Sequence, residues 1–223
     1  KVSYKLYVVN SVDGEDFTDQ GLRGGRQKGS QAKADDFSVV GRLDLQVNTE
    51  VMVGGSAYYG DQGQDLDVDA ETTLVEGHVV GEWGGLKVNA LAVVAQVDGA
   101  GELSRAIATR DLADGEVLPP DADLDAVGEE MVGWYVEVGY DLFAHRSKGE
   151  AALTPFVRYE ELNTQDKMED GFVANPKNDL DIVTFGLNYQ PIDEVVFKVE
   201  HQFIEDGNDD SYDQTNLAMG YIF

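Results

Sequence analysis

Three histidines stand in a chain crowded with carboxylates, and a histidine beside a carboxylate is the pairing that general acid–base chemistry uses. His78 lies two residues from Glu76, so on an extended strand the two side chains share a face. His201 follows the parity of Phe197 and Val199, the apolar side of its stretch, and His145 falls in a short link. An enzyme needs a constellation, and only His78 faces the polar side. A solvated histidine on that face is the simpler reading, and no catalytic residue is assigned. The carboxylates also suggest a metal. Asp65, Asp67, Asp69, Glu71 and Glu76, in DLDVDAETTLVE, loosely follow the spacing of an EF-hand loop. Position 6 of that pattern holds Ala70 where the turn wants glycine, and Glu76 already belongs to a strand. What remains is weak Ca²⁺ binding at Asp65, Asp67 and Asp69, with Asp206, Asp209 and Asp210 as a second cluster. A solvated acidic rim accounts for both more plainly, and no tightly held cofactor is expected.

The background to these candidates is strongly acidic. Among 223 residues there are 16 Lys and Arg against 43 Asp and Glu, a formal charge of −27, and no cysteine. Nucleic acid is excluded as a partner, because neutralising phosphates takes Lys and Arg. Docking on anionic head groups through a basic patch is excluded on the same ground. Without cysteine there are no disulfides, thiolate metal sites or thiol nucleophiles. No run of about 18 apolar residues offers a membrane-crossing helix. That leaves strands, whose alternation never produces such a run.

Ten stretches alternate with period 2, the spacing that sends apolar and polar side chains to opposite faces of a strand. They are Val2–Ser11, Phe37–Val47, Val51–Tyr59, Thr73–Trp83, Leu86–Val97, Trp134–Phe143, Leu153–Glu160, Asp181–Gln190, Glu194–Glu205 and Tyr212–Phe223. On their polar faces the charges are Lys5, Arg42, Lys87, Arg158 and Lys198 against Asp44, Glu76, Glu82, Glu137, Asp141, Glu160 and Glu200. His78 joins them. This lining is mixed and leans negative. Each stretch is close to the ~9–11 residues a tilted strand needs to cross a bilayer.

The connections alternate in length. Long acidic ones occupy 12–36, 60–71, 98–131 and 162–178, and a moderate one 206–211. Between them lie short ones such as Asn48-Thr49, Gly84-Gly85 and Pro191-Ile192-Asp193. Outer-membrane barrels separate tight turns from long external loops in this way. Aromatics gather toward strand ends at Tyr59, Trp83, Trp134, Phe143, Tyr159, Tyr189, Tyr221 and Phe223, as interfacial girdles do. Within 98–131, Leu103, Ile107 and Leu112 place a short helix over 102–112, folded into the lumen or lying over its mouth. The expectation is all-β: a single antiparallel transmembrane β-barrel domain over 1–223, ten strands of a larger barrel of about sixteen.

The segments SYKLYVVNSVDG, LRGGRQKGS, DDFSVVGRLDLQV, GGSAYYGDQGQ, GWYVEVGYDL, TPFVRYEELNT, IVTFGLNYQP and FKVEHQF together resemble the second half of a large proteobacterial outer-membrane porin of the phosphate-selective porin-like family. The resemblance implies a bacterial outer-membrane location and passive diffusion of small hydrophilic solutes or ions. It also implies that the N-terminal strands of the barrel lie outside this stretch, which opens almost within a strand. As partners it implies the lipid bilayer, lipopolysaccharide, a homotrimer, and the barrel-assembly machinery acting on the C-terminal strand that closes in Phe223. Phosphate selectivity does not carry over. An anion pathway needs a positive lining, whereas Lys5, Arg42, Lys87, Arg158 and Lys198 are interleaved with acids, and Arg23, Arg26 and Lys28 fall in a loop. The pore expected is weakly selective or cation-leaning. The alternative is a scaffold barrel whose acidic loops bind a partner or cations.

Overall fold

A computed structural model describes residues 1–29, 32–64, 66, 68–110, 112, 118–119, 124–144 and 151–222. His145, Asp65, Asp67 and Phe223 lie outside the described residues. All ten expected strands form: β1 (Val2–Asn10), β2 (Phe37–Gln46), β3 (Val51–Asp61), β4 (Glu71–Trp83), β5 (Leu86–Asp98), β6 (Glu130–Tyr140), β7 (Ala152–Lys167), β8 (Asp179–Ile192), β9 (Val195–Asp206) and β10 (Ser211–Tyr221). They make one antiparallel sheet in sequence order, each strand pairing only with its chain neighbours. Among the described residues β1 and β10 each leave one edge unpaired. No described helix is long and apolar enough to cross a membrane, which says nothing of strands.

Tight turns gather at one end of the sheet and loops at the other. Between β4 and β5 the turn is Gly84–Gly85, with φ of +55° and +95°, the doubly left-handed geometry that matches strand twist and that glycine alone adopts freely. The segregation by length is weaker than the sequence reading has it. The link 141–151 at the turn end is as long as 168–178 at the loop end, and 207–210 is shorter than either. Two strand ends account for this. β6 stops at Tyr140, and Asp141 follows it with its N–H still donating to the Gly85 carbonyl. Its carboxylate caps the link, accepting from the Phe143 and Leu153 backbone N–H groups at 3.0 Å each. Asp141 is therefore a turn-end cap and leaves the charged face. Phe143 lies in the same link, beyond the strands. β7 runs past Glu160 to Lys167, because the segment before β6 follows it: the Glu129 N–H donates to the Lys167 carbonyl.

The two faces invert the soluble pattern, in which large apolar side chains are buried. Tyr4, Leu6, Leu43, Val75, Trp134, Val136, Val138, Phe185, Val199, Phe203, Leu217 and Met219 all lie on one face and are all exposed. The opposite, charged face is the half-buried one.

At the loop end the charged face is covered. Helix α1 (Ala100–Arg110) begins two residues ahead of the expected 102–112 span and stops before Leu112. It lays Ala100 and Leu103 against Val97 and Ala95 of β5 and Met131 of β6, with Phe17, Ala70 and Val127 arriving from three loops. Ile107 packs at the margin of this core. The helix thus folds inward onto the sheet, the first of the two placements expected for it.

Candidate functional site

Direct partners in an antiparallel ladder point to the same face, so register decides which charges meet. Lys5 opposes Arg42, Gly54 opposes both Asp44 and His78, and Ser56 opposes Glu76. Farther across, Glu82 opposes Lys87, Asn89 opposes Glu137, and Glu137 opposes Arg158. Glu160 opposes Tyr135, Gly186 opposes Glu200, and Asn188 opposes Lys198. Every charge assigned to the polar face by alternation, Asp141 apart, falls on one continuous surface.

The surface is organised as self-neutralising pairs two residues apart on one strand. Arg158 Nε donates to Glu160 at 2.7 Å, and its Nη1 lies 3.7 Å from Glu137 on β6. Lys198 sits 2.6 Å from Glu200, with its ammonium 5.0 Å above the Phe156 ring. The Arg158 guanidinium lies 5.8 Å from the Tyr135 ring centre, a cation–π contact that keeps it against the wall. Asn89 donates to Glu137 at 3.1 Å. Between these strands a cavity of about 230 Å³ is lined by Lys87, Asn89, Glu137, Thr154, Asn188 and Gln190. Lys5 and Lys87 have no ion-pair partner among the described residues.

A denser cluster lies on β2 to β4. Arg42 Nε donates to Asp44 at 2.9 Å, and Nη2 reaches Asp44 Oδ1 at 2.8 Å. The same Nη2 lies 2.9 Å from His78 Nε2. His78 Nδ1 is 3.0 Å from both oxygens of Glu76, which also accepts from Ser56 Oγ at 3.1 Å. His78 Nε2 is 3.1 Å from Asp44 Oδ1. The His78 side chain is only 8% exposed, so it is not the solvated histidine that its place among charges suggests.

Asp44 and His78 are two strands apart, and they meet because β3 lies between them with no side chain at position 54. A Cβ on Gly54 would stand 2.5 Å from Asp44 Oδ1 and 2.6 Å from the His78 ring. This glycine window is the residue that sequence reading missed. Only the register of three strands brings 44, 54 and 78 into one row, and nothing local to Gly54-Gly55 signals it.

The remaining candidates separate. His201 lies on the apolar face, its Nδ1 2.9 Å from Thr215 Oγ1 and its ring edge-on to Phe203. Asp69 borders an acidic cavity of about 330 Å³ at the loop end, with Asp36, Asp61 and Glu102. Among the described residues no three His, Asp or Glu side chains come close enough to hold a metal ion. Glu76, the last position of the EF-hand-like spacing, is held in mid-strand by His78 and Ser56.

No known protein-family model matches the chain. An uncharacterised protein of Aquifex aeolicus is 26% identical over 206 residues, 90% of this chain and 45% of that one. The crystal structure of a BenF-like porin from Pseudomonas fluorescens superposes on 86% of this chain and 48% of its own, with a TM-score of 0.51 and 15% identity. A second solved porin gives 0.46 at 14% identity, over 98% of this chain and 60% of its own. LpxR from Salmonella typhimurium gives 0.39 at 12%, over 84% and 73%. The chain therefore spans about half the length of the curated relative and of the BenF-like porin, and its fold is that of a porin-type antiparallel β-barrel sheet.

Proposed function

We propose that this stretch forms ten strands of an outer-membrane diffusion pore that passes small hydrophilic solutes and ions, with weak or cation-leaning preference. The observation that carries the reading is the inversion of the two faces. Large apolar side chains are exposed across all ten strands, where water would penalise them and lipid would not. Opposite them, charges and amides form a continuous wall. The unpaired edges of β1 and β10 support a wider ring, since backbone groups in hydrocarbon need partners. The half-length match to the BenF-like porin leaves chain to supply the missing strands. A barrel of about sixteen strands holds water, whereas one near ten is filled by its own side chains.

Weak selectivity follows from the pairing. Arg42, Arg158 and Lys198 each lie against a carboxylate two residues along the strand, so their fields largely cancel. With Asp141 withdrawn to its turn, the acidic excess on the wall is small. Lipid and lipopolysaccharide contacts fall to the apolar face and its rim in this reading, and no nucleic acid is involved.

The test is conductance of the full-length native protein in a planar bilayer under a salt gradient, beside the double variant Arg158→Glu, Lys198→Glu. Open steps are expected, with reversal potentials displaced further toward cation preference in the variant. A silent bilayer with insertion verified sinks the pore. It would move attention to the acidic loops as a binding surface, the scaffold alternative. Unaltered selectivity would place the ion path elsewhere.

A further inference from the structure

The β2–β4 cluster contains a conflict that the rest of the wall lacks. Arg42 is a donor only, so Nη2 at 2.9 Å from His78 Nε2 requires that nitrogen to carry a lone pair. The ring proton then sits on Nδ1 and is donated to Glu76 at 3.0 Å. In that state His78 is neutral, and the 3.1 Å contact between Nε2 and Asp44 Oδ1 brings two acceptors together. Add one proton to Nε2 and the pattern reverses. Nε2–H donates to Asp44, and the guanidinium is left against a cation at 2.9 Å. Arg42 must then leave the ring, while its Nε bond to Asp44 can persist. The same residues thus support two mutually exclusive bond sets that differ by one proton.

We propose that His78 is a proton-operated latch that positions Arg42. With His78 neutral, the guanidinium is pinned to the ring. With His78 protonated, it swings off the wall, and the cluster's formal charge rises from −1 to 0. The groups facing the ring are Asp44 and Arg42 from β2, Glu76 from its own strand β4, and Ser56 and the bare Gly54 from β3. On the β5 side Leu91 and Val93 present nothing titratable, and Lys5 on β1 stands beyond Arg42. Among the described residues the ion pairs of Arg158 and Lys198 are with carboxylates, and no second bond set of this kind arises there. Histidine is the side chain whose ordinary charge change falls between about pH 5 and 8. The proposal deepens the pore reading and relies on it for its electrical readout.

Reversal potentials of the full-length native protein, measured in a KCl gradient from about pH 8 to pH 5, test it. The preference for K⁺ over Cl⁻ should fall by roughly two- to threefold toward acid, the effect of a change of about half a kT in local potential, because the two ions respond to it in opposite directions. His78→Gln should be flat. Gly54→Ala, which separates Asp44 from the ring, should blunt the response. A wild type that does not respond, or a His78→Gln variant that responds like wild type, overturns the latch. A second readout needs no current. In detergent micelles, NMR of labelled histidine and arginine should show the Nδ1–H form at the alkaline end. Arg42 resonances should move with His78 protonation in wild type and stay still in His78→Gln. Arg42 signals indifferent to that protonation overturn the latch even in a conducting channel. The expected spectra beside a silent bilayer would keep the latch and discard the pore.

Discussion

Along β5 the charged face changes character. Lys87 and Asn89, near the turn end, give way to Leu91, Val93, Ala95 and Val97 toward the loops. On β4 the same shift separates His78 and Glu76 from Leu74. Where the face turns apolar, Phe17, Leu103 and Val127 cover it and a dry core forms. Where it stays charged, no described loop core covers it, and Arg42, Arg158 and Lys198 are each tied to an acid on their own strand. The contrast shows that one strand face can carry two tasks in series. Loops that stay put can be held by apolar burial, without a specific partner for every polar atom. A polar wall needs side chains that stay put while wet, and short bonds along and across the strands hold those.

Breaking the dry region should have the larger effect. Phe17→Ala empties a fully buried ring site, a change that costs about 3–5 kcal/mol in a packed core. The cost falls on the loop core more than on the sheet. Proteolytic cleavage within 11–36 should speed up, and unit conductance should rise, while the strand signal in circular dichroism persists. Unchanged cleavage and conductance would mean the loops do not depend on that core.

Gly54→Ala attacks the wet region at its β2–β4 cluster. Its Cβ would overlap two side chains that can move but have nowhere equivalent to go, and overpacking of this kind costs about 1–3 kcal/mol. Chemical unfolding in detergent should register the loss, and the conductance of folded protein should change little beside that of Phe17→Ala. The smallest effect belongs to Lys5→Gln on the exposed edge strand, within about 0.5 kcal/mol of wild type by the same unfolding measurement. A larger loss would show that Lys5 is engaged by groups outside the described residues.

Most of the sheet was legible from alternation, because a strand's two faces are written residue by residue. Val136, Glu137 and Val138 announce their sides without reference to anything distant. The misreadings come where a long-range partner decides. Asp141 continues the alternation of β6 on paper, yet a cap needed by Leu153 draws it away. β7 reads as ending at Glu160 until the segment before β6 arrives to pair with Lys167. His78 looked solvated because burial depends on Asp44, two strands distant, and on the missing side chain between them. The loop core joins Phe17 to Leu103 and Val127 across about half of the chain, and no local pattern in any of these segments points to the others.

The nearest-neighbour order of the strands has a consequence for how the sheet is made. Among the described residues no strand pairs with one far along the chain, so contact order within these ten strands stays low for an all-β architecture and growth between them can proceed one hairpin at a time. What differs between hairpins is the entropy of ring closure, which rises with the logarithm of loop length. Joining β5 to β6 across 99–129 costs about 2 kcal/mol more than joining β4 to β5 across Gly84–Gly85. The β4–β5 hairpin is the natural seed. The helix within 99–129, by shortening the span that must be closed, is as much an aid to assembly as a cover for the finished wall.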